Sequence, residues 1–567
     1  LAALISGGWF QATAPEAPGI PSVTIRVSTR MVLVDVVVTD KQGKAVTGLT
    51  RDDFSVEENG KPQKLATFQS PGESQLPLAS SLPPGIYSNR PQYRSPGSAL
   101  TVLLLDALNT PFKDQAYARR QMLRFVQEQY KPGQRMAIFT LTDSLRVLQD
   151  FTSDPQVLAS ALQQFLPEPQ QMVASGRAST TIASGTATAG SAVTALDASV
   201  PPQTMSSGDM GLRGGATNVA SVTSALHFFE SAAVAYQLDQ RTALTLNALD
   251  SLTRILGGMP GRKTIIWITA DLPFSLIPEN RTVTAAELEE DLPSLNTRRV
   301  NEHSAGNLAA TIRGSNAEQI RETAAGLSNA QVAIYPVDAR GLSISVDIDS
   351  QEVMREMANE TGGRAYVNQN EIKEGVARAF DDASATYTLG YYPENKKWDG
   401  KYRHIKVKLK RDGIELRNRQ GYYALDPTQI KGYNPEAEVA SALKDSAPAT
   451  LVGFSARVVP PSANAAKGKL GVDFLVDAST LSAEDASGGK KLNVAFYVYA
   501  FSPGGKILGN RSMKVDQAFD GKTYQQIVQK GLLLHMDLDP VPANSQLRLA
   551  VQDNRTGMVG SLEAPAP

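Results

Sequence analysis

Leu100-Thr101-Val102-Leu103-Leu104-Leu105-Asp106 is the stretch on which the fold turns. It is a continuous apolar run closed by an acid, the pattern of a strand buried on both faces. An amphipathic strand would instead alternate apolar and polar residues. Downstream the period changes. Lys113–Tyr130 is helical, with Met122, Phe125 and Val126 on one side, until Pro132-Gly133 breaks it. Arg135–Leu141 is a second strand, and Asp154–Phe165 a second helix with Ser153 as its cap.

The same alternation continues. Ala216–Leu256 carries a long helical pattern stopped by Gly257-Gly258-Met259-Pro260-Gly261. Thr264–Thr269 is another buried strand, followed by Ala270-Asp271. The polar segment from Glu279 to Leu327 reads as helical in its later half, and Gln331–Val337 as a strand ending at Asp338. Ser350–Thr361 and Glu371–Ser384 are helices flanking a short strand, Arg364–Val367. Tyr387–Tyr392, Tyr402–Leu409 and Ile414–Tyr423 complete the region. Apolar strands alternating with helices predict an α/β fold, a mostly parallel sheet with helices on both faces. Ligands of such sheets bind beyond the strand carboxyl ends. Asp106, Asn109, Thr110, Thr142, Asp143, Asp271 and Asp338 are therefore the expected binding edge.

Period-two segments flank this domain. Val23–Phe68, with the run Val32–Val38 and the hairpin signal Asn59-Gly60, reads as a small β module over 23–70. Residues 71–98 are rich in Pro, Ser and Gly and read as a linker. The α/β domain is expected over 99–425. Within it, residues 167–215 are full of Ala, Ser, Thr and Gly and read as a flexible insertion, an inert loop ahead of a binding loop. Asn434–Ala447 reads as a helical connector within 426–449. Asp473–Val476, Asn493–Phe501, Lys506–Val515, Lys522–Leu534 and Gln546–Asp553 predict a C-terminal β-sandwich over 450–567. Residues 1–22 open on the apolar run Leu1–Ile5 and read either as the tail of an export signal or as a cropped end or disordered arm.

Composition narrows the function. The 567 residues carry a net charge of −1, which argues against a general nucleic-acid binder. The absence of cysteine removes disulfides, thiolate metal sites and cysteine nucleophiles, and suits an exported bacterial protein. His227, His303, His404 and His535 are scattered, without metal or triad spacing. There is no G-x-S-x-G elbow, Walker loop or strand-linked G-x-G-x-x-G, so a hydrolase on an α/β sheet is the weakest reading. No run of 18 apolar residues predicts a transmembrane helix.

One set of motifs carries a resemblance. Val34–Asp40, Gly48-Leu49, Asp53-Phe54, Leu105–Thr110, Pro260–Lys263, Ile334–Leu342 and Leu389–Pro393, in that order, resemble the von Willebrand factor A-related proteins of the acidobacterial type. The resemblance covers about Val23–Ala424. The ending Leu547–Glu563 is similar to the sandwich appended to such proteins. It implies an exported protein of unassigned role. The leading expectation is a non-catalytic protein that binds a protein or cell-envelope ligand at the α/β domain's edge, and the alternative a structural subunit able to self-assemble.

The wider class binds ligands through a metal-ion-dependent adhesion site of hard oxygen ligands, commonly holding Mg2+. Carried over residue by residue, Asp106 matches the first acid and Thr110 the second hydroxyl. Leu108 stands where the first Ser belongs, and Asn109 offers an amide oxygen beside it. Thr269-Ala270-Asp271 is shifted by one against the class's Thr-Asp-Gly. Thr245 matches the second-loop Thr by position, although it lies in a helical run. The implied metal set is Asp106, Asn109, Thr110, Thr245 and Asp271, a degenerate version of the site. The alternative is that Asp106 and Asn109 cap the following turn and helix.

Overall fold

The computed structural model describes residues 31–71, 82–94, 100–130, 135–167, 237–273, 319–342, 348–411, 413–426, 434–461, 468–486 and 488–567. The N-terminal arm, the insertion from 168 onward and the first part of the 216–256 helix lie outside them.

A five-stranded sheet runs in the order Val332–Asp338, Lys263–Thr269, Leu100–Asp106, Arg135–Leu141, Leu145–Thr152. The first four strands are parallel; Leu145–Thr152 is an antiparallel edge. Alternate residues of each apolar run serve opposite faces. Val102, Leu104, Phe139, Ile265, Trp267 and Ile334 pack against helix 237–256 and the helix Ile348–Thr361. Leu103, Leu105, Ile138, Ile266 and Tyr335 pack against the helices Phe112–Glu128, Pro155–Gln164 and Ile372–Ser384. Pro336 is tolerated in its strand because that strand lies at the sheet's edge, where a missing N–H costs least.

Several expectations need correction. Leu145–Thr152 escaped the sequence reading because its side chains are only half-buried and partly polar. Arg364–Val367 contributes a single bridge, Tyr366 to Val337, and no strand. Helix Pro155–Gln164 is capped by Asp154, which accepts from Gln156 N, and not by Ser153.

The larger correction concerns the strands expected at the end of the α/β domain. Thr386–Tyr391 lies between Val32–Asp40 and Leu65–Gln69, and Ile414–Arg417 flanks Val32–Asp40. Tyr402–Leu409 pairs with Phe54–Glu58 and with Gly421–Tyr423. These strands alternate, as in Ile405-Lys406-Val407-Lys408-Leu409, so each has one apolar face and suits an antiparallel sheet, not a parallel one. The two four-stranded sheets share one apolar cluster that includes Val34, Val36, Phe54, Tyr387, Leu389 and Ile405. The hairpin at Asn59-Gly60 has both residues at positive φ (48° and 78°), the geometry its sequence predicts.

The expected linker is also more than a spacer. Ile86–Ser88 pairs with Phe454–Val459 as an edge strand of the C-terminal region. Asn89 is fully buried beside it, donating to the carbonyls of Ala449 and Val452 and accepting from Phe454 N. In the C-terminal region two antiparallel sheets enclose an apolar cluster including Phe454, Phe474, Phe496 and Leu549. Lys522–Leu534 is not one strand. Asp520 caps a helix, Gly521–Lys530, by accepting from Lys522 N and Thr523 N; Gly531 at φ 91° ends it, and Leu532–Leu538 is the strand. The connector helix, Pro435–Lys444, is capped by Asn434.

Candidate functional site

The strand order reverses direction between Leu100–Asp106 and Lys263–Thr269. The chain leaves the first strand toward Arg135–Leu141 and later returns to its other side. In open α/β sheets the carboxyl ends at such a reversal are where a ligand crevice forms. Asp106 ends one of these strands, and Asp271 follows the other.

Asp106 is buried at this reversal. One oxygen, Oδ1, accepts from Asn109 N at 2.8 Å. The other, Oδ2, accepts from Asn109 Nδ2 and from Trp267 Nε1, both at 2.9 Å. Burial pushes its carboxyl above the ordinary range, against the downward pull of these donors. Asn109 Nδ2 also donates to Thr245 Oγ1 at 3.1 Å, and Thr245 donates to the carbonyl of Arg241 at 2.7 Å. The Arg241 side chain, 8% exposed, returns to the same cluster. Its Nε donates to Asn109 Oδ1 at 3.0 Å and its Nη2 to Asp271 Oδ2 at 3.1 Å. Ser350 donates to Asp271 Oδ1 at 2.7 Å. The hydroxyl of Thr110 accepts from Ala270 N at 3.2 Å. Gln115 braces the loop by donating to the carbonyls of Ala107 and Thr110.

The structure thus brings Asp106, Asn109, Thr110, Thr245 and Asp271 together. It leaves the other edge residues apart. Asp143 sits in the exposed turn after Leu141, held by Thr142, Ser144 and Arg146, and its carboxyl is lowered first by the Thr142 hydrogen bond. Asp338 is buried and accepts from Arg340 through both oxygens. Neither Asp143 nor Asp338 hydrogen-bonds to the Asp106 cluster. Sequence reading missed Arg241, Trp267 and Ser350. A usable signal existed for the first: Arg241 and Thr245 are four apart on one helix, hence on one face.

A divalent metal does not fit this donor set. Hard cations need oxygen lone pairs directed at one point. Here the oxygens of Asp106, Asn109, Thr245, Thr110 and Asp271 each already accept from an N–H or O–H group. A divalent ion among them would also face the Arg241 guanidinium. At ~4 Å that repulsion is about 8 kcal/mol, twice the value for two unit charges at an effective dielectric near 20.

No known family model matches this chain, and no curated protein matches it. Solved structures give slight likenesses. A von Willebrand factor type A protein from Catenulispora acidiphila aligns over 94% of this chain and 73% of its own, at 9% identity and TM-score 0.21. An aerotolerance-related membrane protein from Bacteroides fragilis aligns over 50% of this chain and 98% of its own, at 10% identity and TM-score 0.22. The minor pilin PilB from Streptococcus sanguinis covers 51% of this chain and 60% of its own, at 10% identity and TM-score 0.24. Similarity at that level leaves the reading to rest on the chain's own geometry. Among the described residues, no helix is long and apolar enough to cross a membrane.

Proposed function

We propose that this is an exported, non-catalytic binding protein of von Willebrand A-like architecture, and that its contact surface is the carboxyl edge of the parallel sheet. The observation that carries the reading is the crevice at the strand-order reversal, with its buried Asp106–Asn109–Thr245–Arg241–Asp271 network. A network satisfied by its own donors holds a surface rigid, which suits recognition. Apolar side chains stand on the rim. Phe112 is 52% exposed and Leu342 67%. Tyr117, on the same helix as Phe112, stands beside Gly341, its ring 3.3 Å from the position a Cβ there would take. An exposed aromatic beside a rigid polar floor is the composition of an interface anchor.

The test uses the whole chain as bait on cell-envelope extract, beside a Phe112→Ser/Leu342→Ser variant of equal thermal stability. The reading expects a species captured by the parent and lost with the variant. Equal capture by both overturns it.

A second reading, self-assembly, has its own observation. Among the described residues, the 14-residue strand Ile507–Asp520 is paired on one side only, to Gly489–Phe501, with Ile507 51% exposed and Leu508 and Met513 also exposed. Such an edge is a template for another strand. Light scattering across a concentration series decides it: a concentration-independent monomer removes the reading.

A further inference from the structure

We infer that Arg241 is a built-in cation standing in the place of a divalent metal, so that the carboxyl edge works without one. Three observations converge. First, the oxygen-bearing side chains the crevice gathers are those of a hard-cation site: two carboxylates, an amide and two hydroxyls, from two strand ends and one helix. Second, one guanidinium spans them, giving Nε to Asn109 Oδ1 and Nη2 to Asp271 Oδ2. Third, that guanidinium is nearly buried, its side chain 8% exposed against 42% for Asp271. A charge so placed is retained where it compensates a group that would otherwise be buried unpaired.

The substitution has a chemical logic. A metal ion links its ligands by accepting lone pairs from each. A guanidinium links them by donating planar N–H groups in a fixed fork, and its charge is independent of solution ions. The Asn109 side chain fits this exchange. Its amide oxygen accepts from Arg241, while its NH2 donates to both Asp106 and Thr245. A serine hydroxyl there would donate only one hydrogen bond, where the amide donates two and accepts a third. The amide thus converts a set of acceptors, which would need a cation, into a chain of alternating donors and acceptors. Ser350 closes the chain at the free oxygen of Asp271.

The inference rests on the crevice being the working surface only in its last consequence, metal-independent recognition. Its test reads metal uptake alone, so it can fail while the binding proposal stands. The full chain is titrated with Mn2+, and free Mn2+ is followed by electron paramagnetic resonance, with Mg2+ added as competitor. The parent is expected to leave the Mn2+ signal unchanged and to show no thermal shift with either ion. Arg241→Ala frees Asn109 Oδ1 and Asp271 Oδ2. This variant is expected to take up one Mn2+ per chain, displaced by Mg2+, with a metal-dependent rise in thermal midpoint. Arg241→Gln, which keeps an N–H donor and much of the side-chain volume, replaces the alanine variant if that one does not fold. Saturable uptake of one Mn2+ by the parent overturns the inference. So does a folded Arg241 variant, alanine or glutamine, that leaves the Mn2+ signal unchanged.

Discussion

Asp106→Ala tests whether the acid at the end of the central strand is a structural keystone of the crevice. The carboxylate receives Asn109 N, Asn109 Nδ2 and Trp267 Nε1. On its removal Asn109 Nδ2 still reaches Thr245 Oγ1, 3.1 Å away. Asn109 N and Trp267 Nε1 lose their acceptor inside the protein, where an orphaned donor costs roughly 1–3 kcal/mol. Against this stands relief from burying the carboxylate, whose pKa burial has raised. The balance is a loss of about 3 kcal/mol. With a urea slope of about 3 kcal/mol/M, the unfolding midpoint falls by about 1 M.

The assay is Trp267 fluorescence in a Trp9→Phe/Trp398→Phe background, which leaves one of the chain's three tryptophans. That reporter sits in the sheet itself, so its transition follows the α/β unit in a chain with several cores. Trp267→Phe combined with Asp106→Ala then gives a coupling of about 1–2 kcal/mol, the size expected for neighbours in one network; this arm is read by circular dichroism. A midpoint shift below about 0.3 M, or a coupling near zero, would refute the keystone role.

Three further outcomes are expected. Lys263 is buried, donates to the carbonyl of Met259, and is pushed down to about 8 by burial. The unfolded chain therefore holds more protons between about pH 8 and 10.5, and stability should rise with pH across that window; urea midpoints of Lys263→Met should show a flatter profile there, and an unchanged slope would reject the assignment. Asn89→Ala strips two donors and one acceptor from the strap onto the C-terminal sheet, at a cost of about 2–4 kcal/mol; faster amide exchange at Phe454 is the readout. Deleting residues 31–70 leaves Thr386–Tyr391 without either neighbouring strand, so that fragment should aggregate where the parent stays soluble, and equal solubility by light scattering would contradict the shared sheet.

The parallel sheet was legible because its strands are apolar on both faces, as at Leu100–Leu105 and Thr264–Thr269; no flanking context is needed to read them. The edge strand Leu145–Thr152 lacked that signature. The pairing of Val36 with Tyr387 was invisible for another reason. It joins segments some 350 residues apart, and local periodicity says nothing of which strand a strand will meet. The site divides in the same way. Asp106, Asn109, Thr110, Thr245 and Asp271 were recoverable from motif order. For Arg241 the sequence offered only its place one turn before Thr245; its role depends on oxygens contributed by Asn109 and Asp271, neither of which is its neighbour in sequence.

The discontinuity has a consequence for the crevice. The α/β unit enters after Leu65–Gln69 and leaves into Thr386–Tyr391, strands that pair directly, with Gln69 opposite Thr388. Between Gln69 and Leu100 the chain also joins the C-terminal sheet at Ile86–Ser88, so the unit is tied to both antiparallel regions, which limits its rotation more than a single tether would. The attachment lies at the amino end of the parallel strands. Gln331, just before Val332–Asp338, donates to Asp35 of the antiparallel sheet. The C-terminal region docks on the same side. Thr450 accepts from Gly258 N and donates to the carbonyl of Ile255, and a Cβ on Gly258 would lie 1.8 Å from Thr450 O, so only glycine allows the approach. Arg254 binds Asp445 there as well. Helix 237–256 spans the sheet between the two ends. Its described part runs from near Arg241, at the Asp106 network, to Gly257, beside Thr450. Both antiparallel regions thus grip the amino end, and the carboxyl edge is presented away from those attachments. On the proposed function, fixing one end of the parallel sheet would hold a recognition surface at the other at a set orientation. The helix that carries the Arg241 charge at one end is also the element clamped at the other.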